Sequence, residues 1–541
     1  MKRSVFYSLI ALGVAVRVWM LTHYALVSGG DVDVYLADEG IVGLMGKHIL
    51  EQGASPVFFY GQAYLGALEA YCAAAMFSLV GVGFMALRAV PFLFSIALGL
   101  VVYSFSYRFY SAEIARWATA LVAVAPMYFL QWNLKARGGF VEHVVLLFVV
   151  MLLFWPFYLY RRRDGGTAFA LGLVSGVALW VNQLFGAYLA VMAALLWLDR
   201  EDRRGWVPAM GGLVLGASLL IGYNVIHPLA TVRSLARKAL VMNRVDVEDR
   251  DEAWIQHGAE ERFVALGDGV DKLGVVFGVP PGDYVERLGL SQEARAGGPM
   301  GRLRRGLFFL PLLAFGISLI AARPRRGPGG WSAIGSDQLL GLFGLVTFAV
   351  GYVSPRYMLP AYPIAAILAA ALVARLPGAR RLWMTGGLCA VLLLHVAGWV
   401  DAGMTPTSND EQRGQQLLEW LDDHGLRACY SASPLYHVVF ASGERVLISP
   451  LQKDRYPAYD PMIEEADEIC YIYRDGQAHK RQHLAMMAKL GSNGVGFETA
   501  EVGPYRILYD LQPRRGLKAA DVDAIRKARP AADETGDDQG E

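Results

Sequence analysis

Residues 131–163 read QWNLKARGGFVEHVVLLFVVMLLFWPFYLYRRR, and the order of their properties decides the fold. Two cations and a glycine pair come first, then an apolar run over 140–160, then three arginines in a row. About 20 apolar residues is what an α-helix needs to cross the ~30 Å hydrocarbon core of a bilayer. Short loops rich in Lys and Arg stay on the cytoplasmic side, so Arg161, Arg162 and Arg163 mark the inner end of this helix. Gly139, Glu142 and His143 then lie at the outer face, with Lys135 and Arg137 just before them. The charge rule gives no reason for an outer turn to be basic, whereas cations beside the flexible amides of Gly138 and Gly139 suit a phosphate. The plain alternative is a pair of side chains that snorkel along the interface.

The same reading extends along the chain. Apolar segments long enough to span lie at 4–26, 63–83, 88–107, 113–131, 140–160, 167–182, 184–198, 206–226, 303–322, 336–353, 357–375 and 381–400. The 541 residues are 55% hydrophobic and 18% charged. A soluble domain carries roughly 25% charged residues, so the composition points to several spans. The N-terminus has a basic start and a long apolar run with no small-residue cleavage site, and reads as an uncleaved first span carrying Arg17 and His23. Arg17 lies mid-segment and is expected to face protein or a lipid head group rather than lipid tails. Lys2 and Arg3, the run Arg161–Arg163, Arg200 with Arg203 and Arg204, RPRR at 323–326, and Arg380 with Arg381 mark inner loops.

These anchors require an even number of crossings between residues 27 and 140, where three apolar segments occur. Segment 63–83 is assigned as re-entrant or interfacial, because it carries Glu69 and because this choice puts Arg108 and Arg116 inside. The result is a mainly α, polytopic bundle of about 11 crossings. Of the outer segments, 27–62 is expected to hold an amphipathic helix at 38–52 lying along the membrane, and 227–302 to fold as surface helices. From residue 401 the pattern is that of a soluble domain. EQRGQQLLEWLDDHG reads as a helix ending at Gly425, and RACYSA, RVLISP and DEICYIYR read as strands. The chain thus divides into a membrane domain, 1–400, and a small external α/β domain, 401–541, whose polar tail after about 515 is expected to be disordered at its end.

Fifty basic and 49 acidic side chains give a net charge of +1, which offers no basic surface for nucleic acid. Twelve Trp and 26 Tyr fit membrane interfaces. Four Cys without a CxxC make no disulfide scaffold; Cys429 and Cys470 fall on candidate strands where oxidation is open to them, with the buried free thiol the expected state. No Walker loop, GxGxxG, HExxH, GxSxG or Cys/His zinc spacing occurs in a fitting context. What remains is an outer-face constellation: the acids Asp31, Asp33, Asp38, Glu39, Glu69 and Glu142, and the cations Arg88, Lys135, Arg137 and Arg356. Asp38 and Glu39 head the amphipathic helix, either as a cap or as a general base for an acceptor hydroxyl. Asp31-Val32-Asp33 has the DxD form that many sugar transferases use for a divalent cation, and equally the form of a solvated turn. SPRYMLPAYP, 354–363, presents Arg356 and Tyr357 between helix-breaking prolines, and Asn182-Gln183 makes a polar break between two spans.

ADEGIVGLMGKHILEQG (37–53), FFYGQAYLGALEAY (58–71), ALRAVPFL (86–93), LKARGGFVEH (134–143) and SPRYMLPAYP, in this order, resemble the polytopic GT-C glycosyltransferases. The likeness is to bacterial relatives of the protein O-mannosyltransferases and of the aminoarabinose transferase acting on lipid A, and it covers roughly residues 1–400. It implies an inverting transfer from a polyprenyl-phosphate sugar, undecaprenyl phosphate being the bacterial carrier, to a hydroxyl or phosphate of a lipid, glycan or protein acceptor. The place is the outer face of the cytoplasmic (inner) membrane. The resemblance matches the family's first-loop acid to Asp38, with Glu39 beside it, its following arginine to Arg88, and its second acid to Glu142. Gln62, Glu69 and His143 join these as site candidates; the family's paired prolines after the first loop are replaced by GQAY around Gln62.

On this reading Asp38 deprotonates the acceptor, while Arg88, Lys135, Arg137 and Arg356, with Tyr357, stabilise the departing lipid phosphate. A phosphate leaves without an acid catalyst, and a divalent cation, at Asp31 and Asp33 if anywhere, is compatible but not required. A transporter or lipid-linked glycan flippase would also hold charges in a bundle, but no inverted repeat is visible and the charges gather on one face. A non-catalytic scaffold would leave the outer cations unexplained.

Overall fold

The computed structural model describes residues 1–23, 33–198, 205–236, 273, 276–277, 325–326, 332–333, 335–351, 354–404, 410–451, 454–474, 477–513 and 517. The apolar runs fold as helices, since a helix satisfies every backbone group within its own segment. In order they are α1 (Arg3–Thr22), α2 (Asp33–Gln52), the strands β1 (Phe58–Phe59) and β2 (Gln62–Gly66), α3 (Leu68–Val80), α4 (Phe84–Phe109), α5 (Ala112–Ala123), α6 (Met127–Trp132), α7 (Val141–Leu159), α8 (Gly165–Val181), α9 (Phe185–Leu198), α10 (Trp206–Gly216) and α11 (Ser218–Ile226). A two-residue ladder, β3 (Arg325–Arg326) with β4 (Ser332–Ala333), precedes α12 (Ser336–Gly351), α13 (Ala361–Arg375) and α14 (Gly378–Met404). Among the described residues four helices, α1, α4, α7 and α14 as far as Val400, are long and apolar enough to cross a membrane. The bent pair α10–α11, angled by 60°, makes a fifth if it is one span, and α3, α8, α9, α12 and α13 are shorter apolar helices. The expected span at 303–322, most of the outer segment 227–302 and the tail after 515, residue 517 excepted, lie outside the described residues.

Three expectations are corrected. Segment 113–131 is not one helix but two, α5 and α6, because Pro126 supplies no amide to continue the ladder. Segment 63–83 opens as the strand β2, which pairs with β1, and only its second part is helical. Helix α2 begins at Asp33, earlier than expected, since VYLA contains no breaker; Asp38 and Glu39 therefore sit inside the helix and not at its cap. From Leu36 to Gly46 every residue except Asp38 is buried, so this is no surface amphipathic helix.

The break after α5 is held by side chains. A helix end leaves its last carbonyls without intrahelical donors. Here Leu121 O accepts from the Tyr362 hydroxyl at 2.9 Å, Val122 O and Ala123 O from the Arg17 guanidinium at 3.0 and 2.7 Å, and Ala125 O from the Trp399 indole at 2.9 Å. Val124 O lies 2.7 Å from His395 Nδ1, and since a carbonyl only accepts, that nitrogen carries the proton. Arg17 also donates to Ser95 Oγ at 2.8 Å and to Gly13 O at 2.9 Å, and it is 3% exposed. The mid-segment arginine thus faces protein, as expected. Five consecutive carbonyls are met from α1, α13 and α14, and the turn after α6 hangs from this anchored end. Arg381 pairs with Glu113 at 2.6 Å, and Arg375 pairs with Asp337, which brings together ends that the charge rule assigns to the inner side.

By density of contacts the chain divides into two compact units, Met1–Asp31 with Met45–Ser408, and Val32–Leu44 with Asn409–Glu541. The second contains a five-stranded sheet of order β6-β5-β7-β9-β8, built from β5 (Ala428–Ser431), β6 (Leu447–Pro450), β7 (Cys470–Arg474), β8 (Gly496–Val502) and β9 (Tyr505–Gln512). The first three strands are parallel, while β9 runs antiparallel to β7 and to β8. Helices α15 (Asp410–Asp423), α16 (Tyr436–Ala441), α17 (Tyr459–Glu464) and α18 (Gln477–Ser492) complete it, and Gly425 follows α15 at φ +69°. Parallel pairing sets Cys429 opposite Cys470 with Cα atoms 4.5 Å apart, and the two form a disulfide, which corrects the expectation of free thiols. The first half of α2 belongs to this unit. A Cβ at Gly43 would lie 2.8 Å from the Phe440 ring, and one at Gly40 would strike the Tyr436–His437 backbone, so only glycine lets the helix come this close to α16.

Candidate active site

In the first unit the turn from α6 to α7 is built round Trp132, the last residue of α6. Lys135 Nζ stands 5.4 Å from the indole centroid, Arg137 Cζ 4.9 Å and Arg356 Cζ 5.8 Å. Arg356 comes from the 3₁₀ turn Pro355–Met358, lies 5.7 Å from the Phe140 ring and 5.1 Å from the Tyr357 ring, and donates to the Tyr357 hydroxyl at 3.3 Å. Phe140 packs edge-on to Trp132 at 5.0 Å and stacks on Tyr357 at 6.0 Å. Four of the expected phosphate-binding residues are therefore assembled from two distant segments. Each aromatic face holds a cation electrostatically, by about 0.5–2 kcal/mol depending on desolvation. Lys135 and Arg137 are 6% and 4% exposed, which rules out snorkelling into an interface. Arg88, 2% exposed, lies over Phe84 at 4.8 Å.

Gly138 and Gly139 take φ of +77° and +81°, a left-handed pair that other residues adopt only with strain. The Gly138 amide donates to Glu69 Oε2, and a Cβ there would lie 2.8 Å from the Phe59 ring. Gly139 O accepts from Asn182 Nδ2 at 3.4 Å, and Asn182 Oδ1 accepts from Leu184 N at 3.1 Å, so the polar break at 182–183 serves the backbone on both sides. Glu69, 2% exposed, sits in the first turn of α3; this carboxylate from another segment fixes the turn that carries Lys135 and Arg137. Glu142 and His143 open α7, 1% and 5% exposed. His143 packs against Phe185 and Tyr188, at 6.1 and 5.9 Å between ring centroids. Gln62 lies on β2, partly exposed. A shallow apolar groove runs between α12 and α13, the helices before and after Arg356 in the chain, and is lined by Leu345, Phe348, Ile364 and Leu368 among others.

In the second unit Asp38 Oδ1 pairs with Arg455 Nη1 at 3.0 Å, and Glu39 is 1% exposed. Asp31 and the side chain of Asp33 lie outside the described residues. No group of three or more His, Cys, Asp or Glu among the described residues is placed to hold a metal ion. Sequence reasoning missed Trp132, Phe140 and Arg455. The aromatic pair flanking KARGG was a signal for the first two, since cations beside Trp and Phe commonly lie on their faces; Arg455 had none.

No family model and no curated protein matches the chain. Solved structures do. ArnT from Cupriavidus metallidurans in the apo state superimposes with a TM-score of 0.58 at 12% identity, over 94% of this chain and 99% of that one. The same protein bound to undecaprenyl phosphate gives 0.57 at 12% identity, over 96% and 100%. The Archaeoglobus fulgidus oligosaccharyltransferase in the apo form gives 0.46 at 12%, over 83% of this chain and 64% of that one. Over nearly its whole length the chain has the fold of ArnT.

Proposed function

We propose that the protein is an inverting membrane glycosyltransferase that takes a sugar from a polyprenyl-phosphate carrier, undecaprenyl phosphate in bacteria, and passes it to a hydroxyl or phosphate of a lipid, glycan or protein. The observation that carries this reading is the convergence of Lys135, Arg137 and Arg356 on one buried indole, with an apolar groove between the two helices, α12 and α13, that flank the turn carrying Arg356. A lipid phosphate needs both: cations for its head and an apolar channel for its tail. ArnT, whose fold the chain shares, is known with undecaprenyl phosphate bound.

In the reaction the acceptor O–H gives its proton to Asp38. The acceptor oxygen bonds the anomeric carbon from the face opposite the phosphate, and the bond from that carbon to the phosphate oxygen breaks, its electron pair staying with the phosphate. Negative charge grows on the departing phosphate, so prepositioned cations are worth more in the transition state than in the bound donor. Lys135, Arg137 and Arg356, with Arg88 and the Tyr357 hydroxyl, take that role. Glu69 and Glu142 shape the glycine turn and the start of α7. The protein sits in the inner membrane with its C-terminal domain on the periplasmic side, a reading supported by the Cys429–Cys470 disulfide, which persists where conditions are oxidising.

The test is transfer by purified protein from a panel of radiolabelled polyprenyl-phosphate hexoses and pentoses, with Asp38→Asn in parallel. Polyprenyl phosphate released by the wild type and not by the variant is the expected result. If no donor is consumed while labelled lipid crosses proteoliposomes, the protein is a flippase and the transferase reading fails.

A further inference from the structure

We propose that Arg455, supplied by the C-terminal domain, is a positioning residue for Asp38, so that this domain completes the base of the reaction. The inference rests on the reading of Asp38 as that base. Its starting point is the ion pair itself, Arg455 Nη1 to Asp38 Oδ1 at 3.0 Å, with the two side chains 25% and 20% exposed. A surface ion pair at this exposure is commonly worth little and wanders. This one is held from both sides.

On the Arg455 side, the Tyr436 hydroxyl donates to Asp454 Oδ1 at 2.6 Å and accepts from the Arg455 amide at 2.8 Å. Asp454 Oδ1 also accepts from the Tyr456 amide at 2.9 Å. One buried tyrosine, 1% exposed, thus pins the turn that aims the guanidinium. On the Asp38 side, the helix is pressed onto the same element, α16, through Gly40 and Gly43, where any side chain would collide with Tyr436, His437 or Phe440. Both partners are therefore referenced to α16, and the carboxylate has little freedom to turn. Arg455 engages Oδ1, which leaves Oδ2 to receive the acceptor's proton. A general base must be within hydrogen-bond reach and in line with the proton it takes, and small misplacements cost large factors in rate.

The experiment uses full-length protein in detergent, with the most active donor of the panel above, and compares wild type, Asp38→Asn, Arg455→Gln, Arg455→Lys and, as a control, Arg445→Gln, which removes the exposed pair with Asp422 and a hydrogen bond to Ser442 O but touches neither Asp38 nor Arg455. Arg455→Gln is expected to lower kcat about tenfold to a hundredfold with KM for the donor unchanged, because no donor contact is lost. Arg455→Lys should recover a large part of that loss, and Arg445→Gln should match wild type. In the Asp38→Asn background Arg455→Gln should add no further loss, since it acts through the missing carboxylate. Wild-type or higher kcat in Arg455→Gln, with Asp38→Asn inactive, overturns the positioning role and leaves the base reading standing. An active Asp38→Asn, or no donor consumed by wild type, overturns the base reading and this inference with it. Should Arg455→Gln fail to fold, Tyr436→Phe decides: it removes the hydroxyl that aims the turn, and an unchanged kcat there refutes the proposal.

Discussion

Replacing Arg17 by methionine tests the anchored helix break most directly. The change keeps an unbranched apolar stem of similar length and removes every donor. Of the four acceptors, Ser95 Oγ can rotate to another partner, and Gly13 O lies within α1, where the helix ladder supplies a donor. Val122 O and Ala123 O, at the end of α5, lose the guanidinium that caps them. A buried acceptor left without a partner costs about 1–3 kcal/mol, so two cost about 2–6 kcal/mol. Removing a buried charge returns part of this, since its desolvation is no longer required. A net loss of about 2–4 kcal/mol follows, or a fall of about 4–8 °C in melting temperature at ~2 °C per kcal/mol. Trp399→Phe, which orphans Ala125 O alone, should cost roughly half as much, about 1–2 kcal/mol. Thermal unfolding of the purified protein in one detergent, read by tryptophan fluorescence at a fixed scan rate, measures both. Unchanged melting in Arg17→Met would refute the account, because it would mean that those carbonyls were not relying on this side chain. Donor KM should rise in the same variant, since the turn bearing Lys135 and Arg137 follows from α6.

Other consequences are open to shorter tests. Arg137→Gln removes one charge-assisted contact worth about 1.5–3 kcal/mol, so binding of undecaprenyl phosphate should weaken by about 10- to 150-fold in a titration, with Arg356→Gln close behind; full affinity in both would remove the phosphate role of the cluster. Reducing the disulfide, or the pair Cys429→Ser with Cys470→Ser, opens a loop whose ends are 41 residues apart, and the chain-entropy estimate is about 4 kcal/mol of stability lost from the C-terminal domain; hydrogen exchange over β5 and β7 reads it. Asp422 has its pKa lowered, first by the hydrogen bond from Arg427 and then by the charges of Arg445 and Arg427. A carboxyl with a depressed folded-state value contributes stability above its unfolded pKa and loses it as pH falls through the folded one. Acid unfolding of Asp422→Asn should therefore show a slightly shallower loss on the acid side than wild type, while an identical acid limb would show that the pair contributes nothing.

The helical bundle was legible because period and charge are local properties. A run such as 140–160 followed by three arginines needs no partner to be read, and Lys135, Arg137, Glu142 and Arg356 stood out as charges where a lipid-facing helix could not keep them. The soluble strands at Cys429, Ile448 and Cys470 were legible for the same reason, while the hairpin GFETAEVGPYRILYDLQ, 496–512, was overlooked despite its alternation. What could not be read were relations between distant segments. Nothing near Leu121–Ala125 announces that Arg17, Tyr362, His395 and Trp399 will meet those carbonyls from three other helices. Nothing in KARGG says that Trp132 gathers its cations together with one some 220 residues on, counting from residue 135 or 137 to Arg356. The start of α2 was misplaced because helix caps are weak local signals, and the burial that keeps residues 36–46 helical comes from elements elsewhere in the chain. Sequence by itself determined where the chain is apolar enough to span and which ends carry charge, since both depend on the cost of moving residues out of water. Only the tertiary structure decided which charges meet, because hydrogen bonds, ion pairs and ring contacts act over a few ångströms and so depend on how the helices pack.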